Sequence, residues 1–302
     1  MYRQKMKRVA VLVEGMSSER EISLLTGQGV MKALNKLGYD AKDIVVSSDL
    51  SLWLKQLQKF SPDVVFNALH GKYGEDGCIQ GILNWLKIPY THSGVLASAL
   101  GMDKECTRQI AQTLGIKVAS GGLKTSEEFQ KMALPLVVKP NDEGSSCGVY
   151  LVKTEADRAK VLRRWPKEKK LLVEEYIDGR ELSVAVLDGT ALTSVELHVK
   201  KGWYDYKNKY QEGAVVHEIP APLSKATQDL ILRQSEKIHQ ALGCRGVSRS
   251  DFRLSPTGQL YFLEINTNPG MTPLSLVPDM ARAKGISYEQ VVEKLIQEAR
   301  CD

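Results

Sequence analysis

No G-x-x-x-x-G-K-[ST] occurs in this chain, which excludes a P-loop. Gly27-Gln28-Gly29 lacks the third glycine of a dinucleotide fingerprint and lies inside a helical stretch, so the pair reads as helix packing. The five cysteines, Cys78, Cys106, Cys147, Cys244 and Cys301, are odd in number, scattered and without a C-x-x-C. That excludes a disulfide frame or a zinc site and fits reduced thiols in a cytoplasm. No apolar run approaches the ~20 residues of a membrane span, and residues 9–13, after a basic start, are too few for the apolar core of a signal peptide. There is no Lys/Arg block with interleaved aromatics, so the formal charge of +5 suits an anionic small substrate as well as it suits nucleic acid. Internal repeats and low-complexity tracts are missing too.

What remains is an ordinary globular composition, 43% hydrophobic and 25% charged. At 302 residues the chain exceeds one ordinary core and predicts two or three domains. Residues 9–13 read as a buried strand and residues 21–37 as a helix closed by Gly38. A strand at 44–46, a helix from Leu50 and a strand at 63–69 continue the alternation. This implies an α/β unit with a parallel sheet covered by helices on both faces. A helix at 103–114 ends at Gly115. Strands at 134–139, 149–152 and 170–177 and a helix at 154–165 follow. The chain is then β-rich to residue 199, polar over 200–213, and helical over 225–242. A hairpin, a Pro/Gly-rich loop and a last helix over 287–299 complete the pattern.

The hairpin is the most informative stretch. VSRSDFRL at 247–254 runs through SPTG into QLYFLEIN at 259–266. With an even loop, Asp251 faces Glu264 and Arg249 faces Asn266, all four on one side of the ladder. Phe252, Leu254, Tyr261, Leu263 and Ile265 then take the apolar side. Like charges directly opposite destabilise a strand pair, and a divalent cation between them reverses the sign. Oxygen donors on a rigid sheet suit Mg²⁺, and Arg249 beside them suits developing negative charge. A solvated polar face on an edge hairpin is the other reading. An odd loop would shift the register unless a bulge restored it.

Lys139 ends a buried strand before the Gly/Ser-rich run Glu143-Gly144-Ser145-Ser146-Cys147-Gly148. Free N–H groups in such a loop cradle phosphate, with the lysine as a point charge; a plain hairpin turn with a snorkelling lysine is the alternative. Residues 172–181, LVEEYIDGRE, place acids at a strand end before a glycine turn. They suit a base and a ribose at Glu181, or a surface salt-bridge cluster.

In order, these pieces resemble the ATP-grasp superfamily, and within it the D-alanine–D-alanine ligases. The likeness spans nearly the whole chain: GMSSEREIS at 15–23, HGKYGEDG at 70–77, PYT at 89–91 with SGVLASA at 93–99, MDK at 102–104, KP at 139–140 with EGSS at 143–146, YDYKNKY at 204–210, RSD at 249–251 and EINTNPGMT at 264–272. The resemblance implies a three-domain fold: a Rossmann-like unit over residues 1–101, then two α+β units, 102–181 and 182–302, clasping ATP. It implies ATP-dependent joining of two D-alanines through an acyl phosphate, for peptidoglycan precursors.

Residue by residue, Lys104 and Lys139 match the lysines on the phosphates. Glu174, Ile177 and Glu181 match the adenine and ribose contacts, with Tyr176 beside the base. Asp251, Glu264 and Asn266 match the ligands of Mg²⁺ or Mn²⁺, with two ions expected. Glu19 matches the acid that receives the first substrate's ammonium, and His70 a residue near it. Arg249 and the Gly270 backbone match the oxyanion site. Ser275 matches the residue on the second substrate's carboxylate. Ser145, Lys209 and Tyr210 match the groups closing a lid formed by residues 200–213 and the Ser145 loop. The implied partners are small molecules only, with no nucleic acid or membrane, in a cytoplasmic homodimer. Glu14, His92 and Cys147 depart from the family's usual residues. A related ligase using another amine, or a hydroxy acid such as D-lactate, is the competing reading.

Overall fold

The computed structural model describes residues 7–145, 147–165, 169–199, 215–273 and 275–302. Three sheets organise it. The first is parallel, with β1 (Arg8–Glu14) between β2 (Asp40–Val46) and β3 (Val64–Asn67). All but the two ends of β1 are buried, because helices cover both faces. On one face α2 (Leu50–Phe60) and α3 (Cys78–Trp85) bury Trp53, Leu57, Ile79 and Leu83 against Ala10, Leu12 and Val65. On the other, α1 (Arg20–Lys36) brings Val30, Ala33 and Leu34 onto Val9, Val11 and Val13. The last helix, α10 (Tyr288–Glu298), joins this same core through Val291, Val292, Leu295 and Ile296, so the end of the chain packs back on its beginning.

Gly27 and Gly29 are packing glycines. A Cβ on Gly27 would lie 2.3 Å from Val13 Cγ1, and one on Gly29 2.8 Å from the Tyr288 hydroxyl, which donates to Met271 O. Gly27→Ala should therefore lose stability although alanine is the better helix former. Overpacking of about 3 kcal/mol against about 1 kcal/mol of propensity leaves a net loss of about 2 kcal/mol. Urea unfolding measures it, and a neutral or stabilising change would contradict this packing.

The second sheet, in order β4 (Gly121–Lys124), β7 (Leu171–Glu175), β5 (Leu136–Lys139), β6 (Tyr150–Val152), is antiparallel and carries α6 (Ser126–Gln130) and α7 (Glu155–Arg164). The third runs β10 (Val215–Glu218), β9 (Thr190–Val199), β8 (Arg180–Leu187), β11 (Val247–Leu254), β12 (Leu260–Asn266). Two further helices, α4 (Val95–Met102) and α5 (Lys104–Thr113), link the first unit to the second. The core under the third sheet is built from Leu182, Val184, Phe252, Leu254, Leu260 and Phe262, covered by Ile231, Ile238 and Leu242 from α8 (Lys225–Ala241) and its end. Asp302 ties the first unit to the turn before β11: its carboxylate accepts from Val95 N (2.7 Å), Tyr90 Oη (3.2 Å) and Arg245 Nη1 (2.9 Å).

Three expectations change. The stretch after the hairpin holds a helix, α9 (Leu276–Ala283), where a Pro/Gly-rich loop is predicted. Pro278 sits in its first turn, where a missing N–H costs nothing. The hairpin loop is odd, with Leu254 opposite Leu260, and a bulge at Leu263 restores the register so that Asp251 does face Glu264 and Arg249 faces Asn266. The same bulge reverses the alternation. Phe262 and Leu260 enter the core, while Tyr261 and Leu263 move to the other face, Leu263 lining a cavity with Glu264.

Candidate active site

Two clefts open between the sheets. The first, of about 900 Å³, is lined by Glu19, His70, Ser145, Arg249, Gly270 and Ser275 among others. The second, of about 840 Å³, is lined by Lys139, Glu174, Tyr176, Ile177, Glu181 and Asp251 among others. Lys104, Glu143 and Glu264 belong to both walls. Fifteen of the sequence-predicted positions thus meet around one divided space once Asn266, in the first cleft, is included. Lys209, Tyr210 and the lid segment lie outside the described residues.

In the first cleft Glu19 precedes α1 but does not cap it with its side chain. Its carboxylate is buried, at 7% exposure, between two glycines; a Cβ on Gly144 would stand 2.6 Å from Oε1 and one on Gly71 3.5 Å from it. His70 is buried with Nδ1 on Glu75 Oε1 (3.0 Å) and Nε2 on Thr26 Oγ1 (3.1 Å). Burial pulls the His70 pKa down, but the Glu75 hydrogen bond and the charges of Glu75 and Glu19 outweigh it, so it stands above the ordinary histidine value. Burial raises Glu75 as well, and its bond to His70 only partly opposes that. The pair therefore keeps a proton beside Glu19. Ser145 sits in the left-handed region with φ 50°, in the turn that carries Gly144 to Glu19. Ser275 does not use its hydroxyl to cap α9; Oγ accepts from Thr272 N at 2.9 Å, beside Gly270.

Several charges in and between the clefts are paired within the protein. Lys104 Nζ donates to Glu143 O (2.5 Å) and lies 3.6 Å from Glu264 Oε2. Lys139 Nζ is 2.6 Å from Glu174 Oε2. Arg249 grips Asp251 with two parallel bonds of 2.8 Å, and Ser183 Oγ donates to the same carboxylate at 2.6 Å. Arg253 donates to Glu181 Oε2 (3.1 Å) and Gly179 O (2.8 Å). Asn266 Oδ1 accepts from Asn268 N at 3.0 Å. Asp251, Glu264 and Asn266 form an all-oxygen donor set on adjacent strands, the chemistry a hard divalent cation takes. A separate group, Glu196, His198 and Glu218 on β9 and β10, lines neither cleft, and Arg180 neutralises Glu196 there.

Sequence reasoning assigned no role to Glu75, Arg108 or Arg253. Arg253 was findable, since residues 249, 251 and 253 share one strand face. Arg108 was findable as the residue one helical turn after Lys104. The Thr26 contact to His70 had no local signal.

The sequence matches the family described as D-ala D-ala ligase C-terminus over residues 116–297 and D-ala D-ala ligase N-terminus over residues 51–93. Similar proteins include the D-alanine–D-alanine ligase of Granulibacter bethesdensis, 45% identical and covering 98% of each chain. That of Ruegeria pomeroyi is 46% identical over 98% of this chain and 97% of the relative. The crystal structure of D-alanine–D-alanine ligase from Bacillus anthracis complexed with ATP matches with a TM-score of 0.83 at 31% identity, over 97% of each chain.

Proposed function

This chain belongs to the D-alanine–D-alanine ligase family, and from that premise we propose that it joins two D-alanines to D-alanyl-D-alanine, converting ATP to ADP and phosphate, for peptidoglycan precursors. The observation that carries the reading is the wall of Lys104, Glu143 and Glu264 common to both clefts. Residues that line both clefts mark where the two adjoin, and there a phosphoryl donor bound in one can meet an acceptor bound in the other.

ATP occupies the second cleft, with its base and ribose at Glu174, Tyr176, Ile177 and Glu181 and its phosphates at Lys104 and Lys139. The first D-alanine places its ammonium on Glu19 beside His70. Its carboxylate oxygen takes the γ-phosphoryl group, the bond to the ADP oxygen breaks, and an acyl phosphate forms. Positioning and charge neutralisation by the lysines carry this step. The second D-alanine, held by its carboxylate at Ser275, attacks the acyl carbon with its amine. The oxyanion meets Arg249 and the Gly270 N–H; phosphate leaves and the amine loses a proton. Asp251, Glu264 and Asn266 would hold Mg²⁺ or Mn²⁺, two ions, which when bound neutralise phosphate charge. Ser145, in the turn beside Glu19, helps to close the space against water, a part that the family resemblance also gives to Lys209 and Tyr210.

The reading divides the chain at about residues 101 and 181, in keeping with the three sheets. It includes a homodimer, which sedimentation tests, and a cytoplasmic location, which five thiols in no disulfide agree with. No described helix is long and apolar enough to cross a membrane.

The test is phosphate release from ATP with D-alanine, L-alanine or D-lactate. D-alanine should give one phosphate per dipeptide, and the other two little product. Release that ignores D-alanine, or mainly ester product from mixed D-alanine and D-lactate, would overturn the reading. A finer result concerns Gly144→Ala. Its methyl must displace the Glu19 carboxylate, so the KM for the first D-alanine should rise roughly tenfold, the worth of about one hydrogen bond to a charged group, with ATP affinity near normal. Unchanged D-alanine kinetics would remove Glu19 from the ammonium site.

A further inference from the structure

Arg108 lies on α5 behind the nucleotide cleft and lines neither cleft. It is 3% exposed. Its guanidinium spreads over three partners: Nη1 donates to Glu174 Oε1, Nη2 to Ala119 O at 2.9 Å, and Nε to Glu105 Oε2 at 3.3 Å. Glu174 is likewise 3% exposed, and its second oxygen holds Lys139. A single carboxylate in the cleft wall is thus shared by two cations from two elements.

The two cations differ in what they can do. Lys139 ends β5, lines the nucleotide cleft and carries a flexible stem. Arg108 is fully enclosed, tied to a backbone carbonyl and a second acid, and its guanidinium stays protonated. Removing one partner of a buried ion pair is strongly unfavourable because it strands the other charge. If Lys139 were the sole partner of Glu174, moving it onto a phosphate would strand that carboxylate.

We propose that Arg108 is a positioning residue, the permanent counter-ion of Glu174, which lets Lys139 leave Glu174 for the phosphates of a bound nucleoside triphosphate. The proposal rests on the ATP-dependent reading above. Arg108 touches no substrate in this account. It acts by setting what Lys139 gives up when it moves. The three-way fork also explains why the residue is an arginine, since an ammonium on a single stem does not span those three acceptors.

Calorimetric binding of ATP and of inorganic triphosphate to the full chain tests this without relying on ligation. Arg108→Met should weaken both ligands by roughly 10- to 100-fold, the worth of one charge-assisted contact, while D-alanine binding holds. Arg108→Lys should fall between. Adding Glu174→Gln to Arg108→Met removes the stranded acid and should recover the affinity for inorganic triphosphate, which has no base to meet Glu174, to within about threefold of the parent. A purely structural role for Arg108 does not produce that recovery, because the double variant removes still more of the network. Should Arg108→Met fail to fold, Arg108→Lys with and without Glu174→Gln repeats the comparison. Parental triphosphate affinity in the single variant, or a double variant binding no better than the single, overturns the proposal. A parent chain that binds no ATP overturns the nucleotide reading itself, and this proposal with it.

Discussion

Glu264→Gln should fold as the parent does and lose about 10²- to 10³-fold in kcat, the scale seen when one preorganised electrostatic group is removed from an active site. The fold should survive because glutamine keeps the size and shape of the side chain, which is 29% exposed, and Lys104 at 3.6 Å stands beyond ordinary hydrogen-bond reach. The rate should not survive, because Glu264 stands in both clefts, where phosphate charge must be met. Steady-state phosphate release with saturating ATP and D-alanine, alongside thermal unfolding, measures both. Near-normal turnover in a well-folded Glu264→Gln would sink the role given to the paired acids.

Arg249→Met should be costly twice. The lost donor at the oxyanion should lower kcat by about 10²- to 10³-fold. The Asp251 carboxylate, 8% exposed, would keep only the Ser183 hydroxyl of its present partners named here, at a stability cost of about 3 kcal/mol for a broken buried pair. Arg249→Lys separates the two effects. It keeps a positive charge near Asp251 and so should fold better, but it cannot form the paired bonds of the guanidinium. Its kcat should stay well below the parent's. The KM for ATP should move little in either variant, since Arg249 lines the substrate cleft and not the nucleotide cleft. An Arg249→Lys enzyme with parental kcat would remove the side chain from the chemistry.

The cross-strand acids show how far local pattern reached. Alternation placed Asp251 opposite Glu264 and Arg249 opposite Asn266, and the structure agrees. The route differed: the loop is odd, and the extra residue at Leu263 brings the register back. Nothing in the alternating run announces a bulge, because Leu, Tyr and Phe fit either face of a strand. The choice falls to packing. Phe252 and Phe262 meet edge to face with centroids 5.6 Å apart in the core, and that contact outweighs the alternative of burying Tyr261 with its hydroxyl. The expected like-charge penalty is also answered in a way the hairpin alone does not reveal: Arg249 is paired with Asp251, and Lys104, from a helix some 160 positions earlier, approaches Glu264.

Local chemistry by itself determined the elements whose signals are short-range. These are the strand at residues 8–14, the helices closed by Gly38 and Gly115 with φ of 79° and 72°, the helix that Thr154 starts with a capping box, and the acid and lysine positions at strand ends. Backbone sterics, caps and side-chain period act over a few residues, so they are written where they act. Tertiary structure alone decided which of those groups meet. Lys139 on Glu174, Arg108 on the same carboxylate, Thr26 on His70, and Gly144 against Glu19 join residues 35 to 125 positions apart. Such pairs depend on how three sheets and their helices pack, and a buried charge takes whichever partner that packing brings within reach.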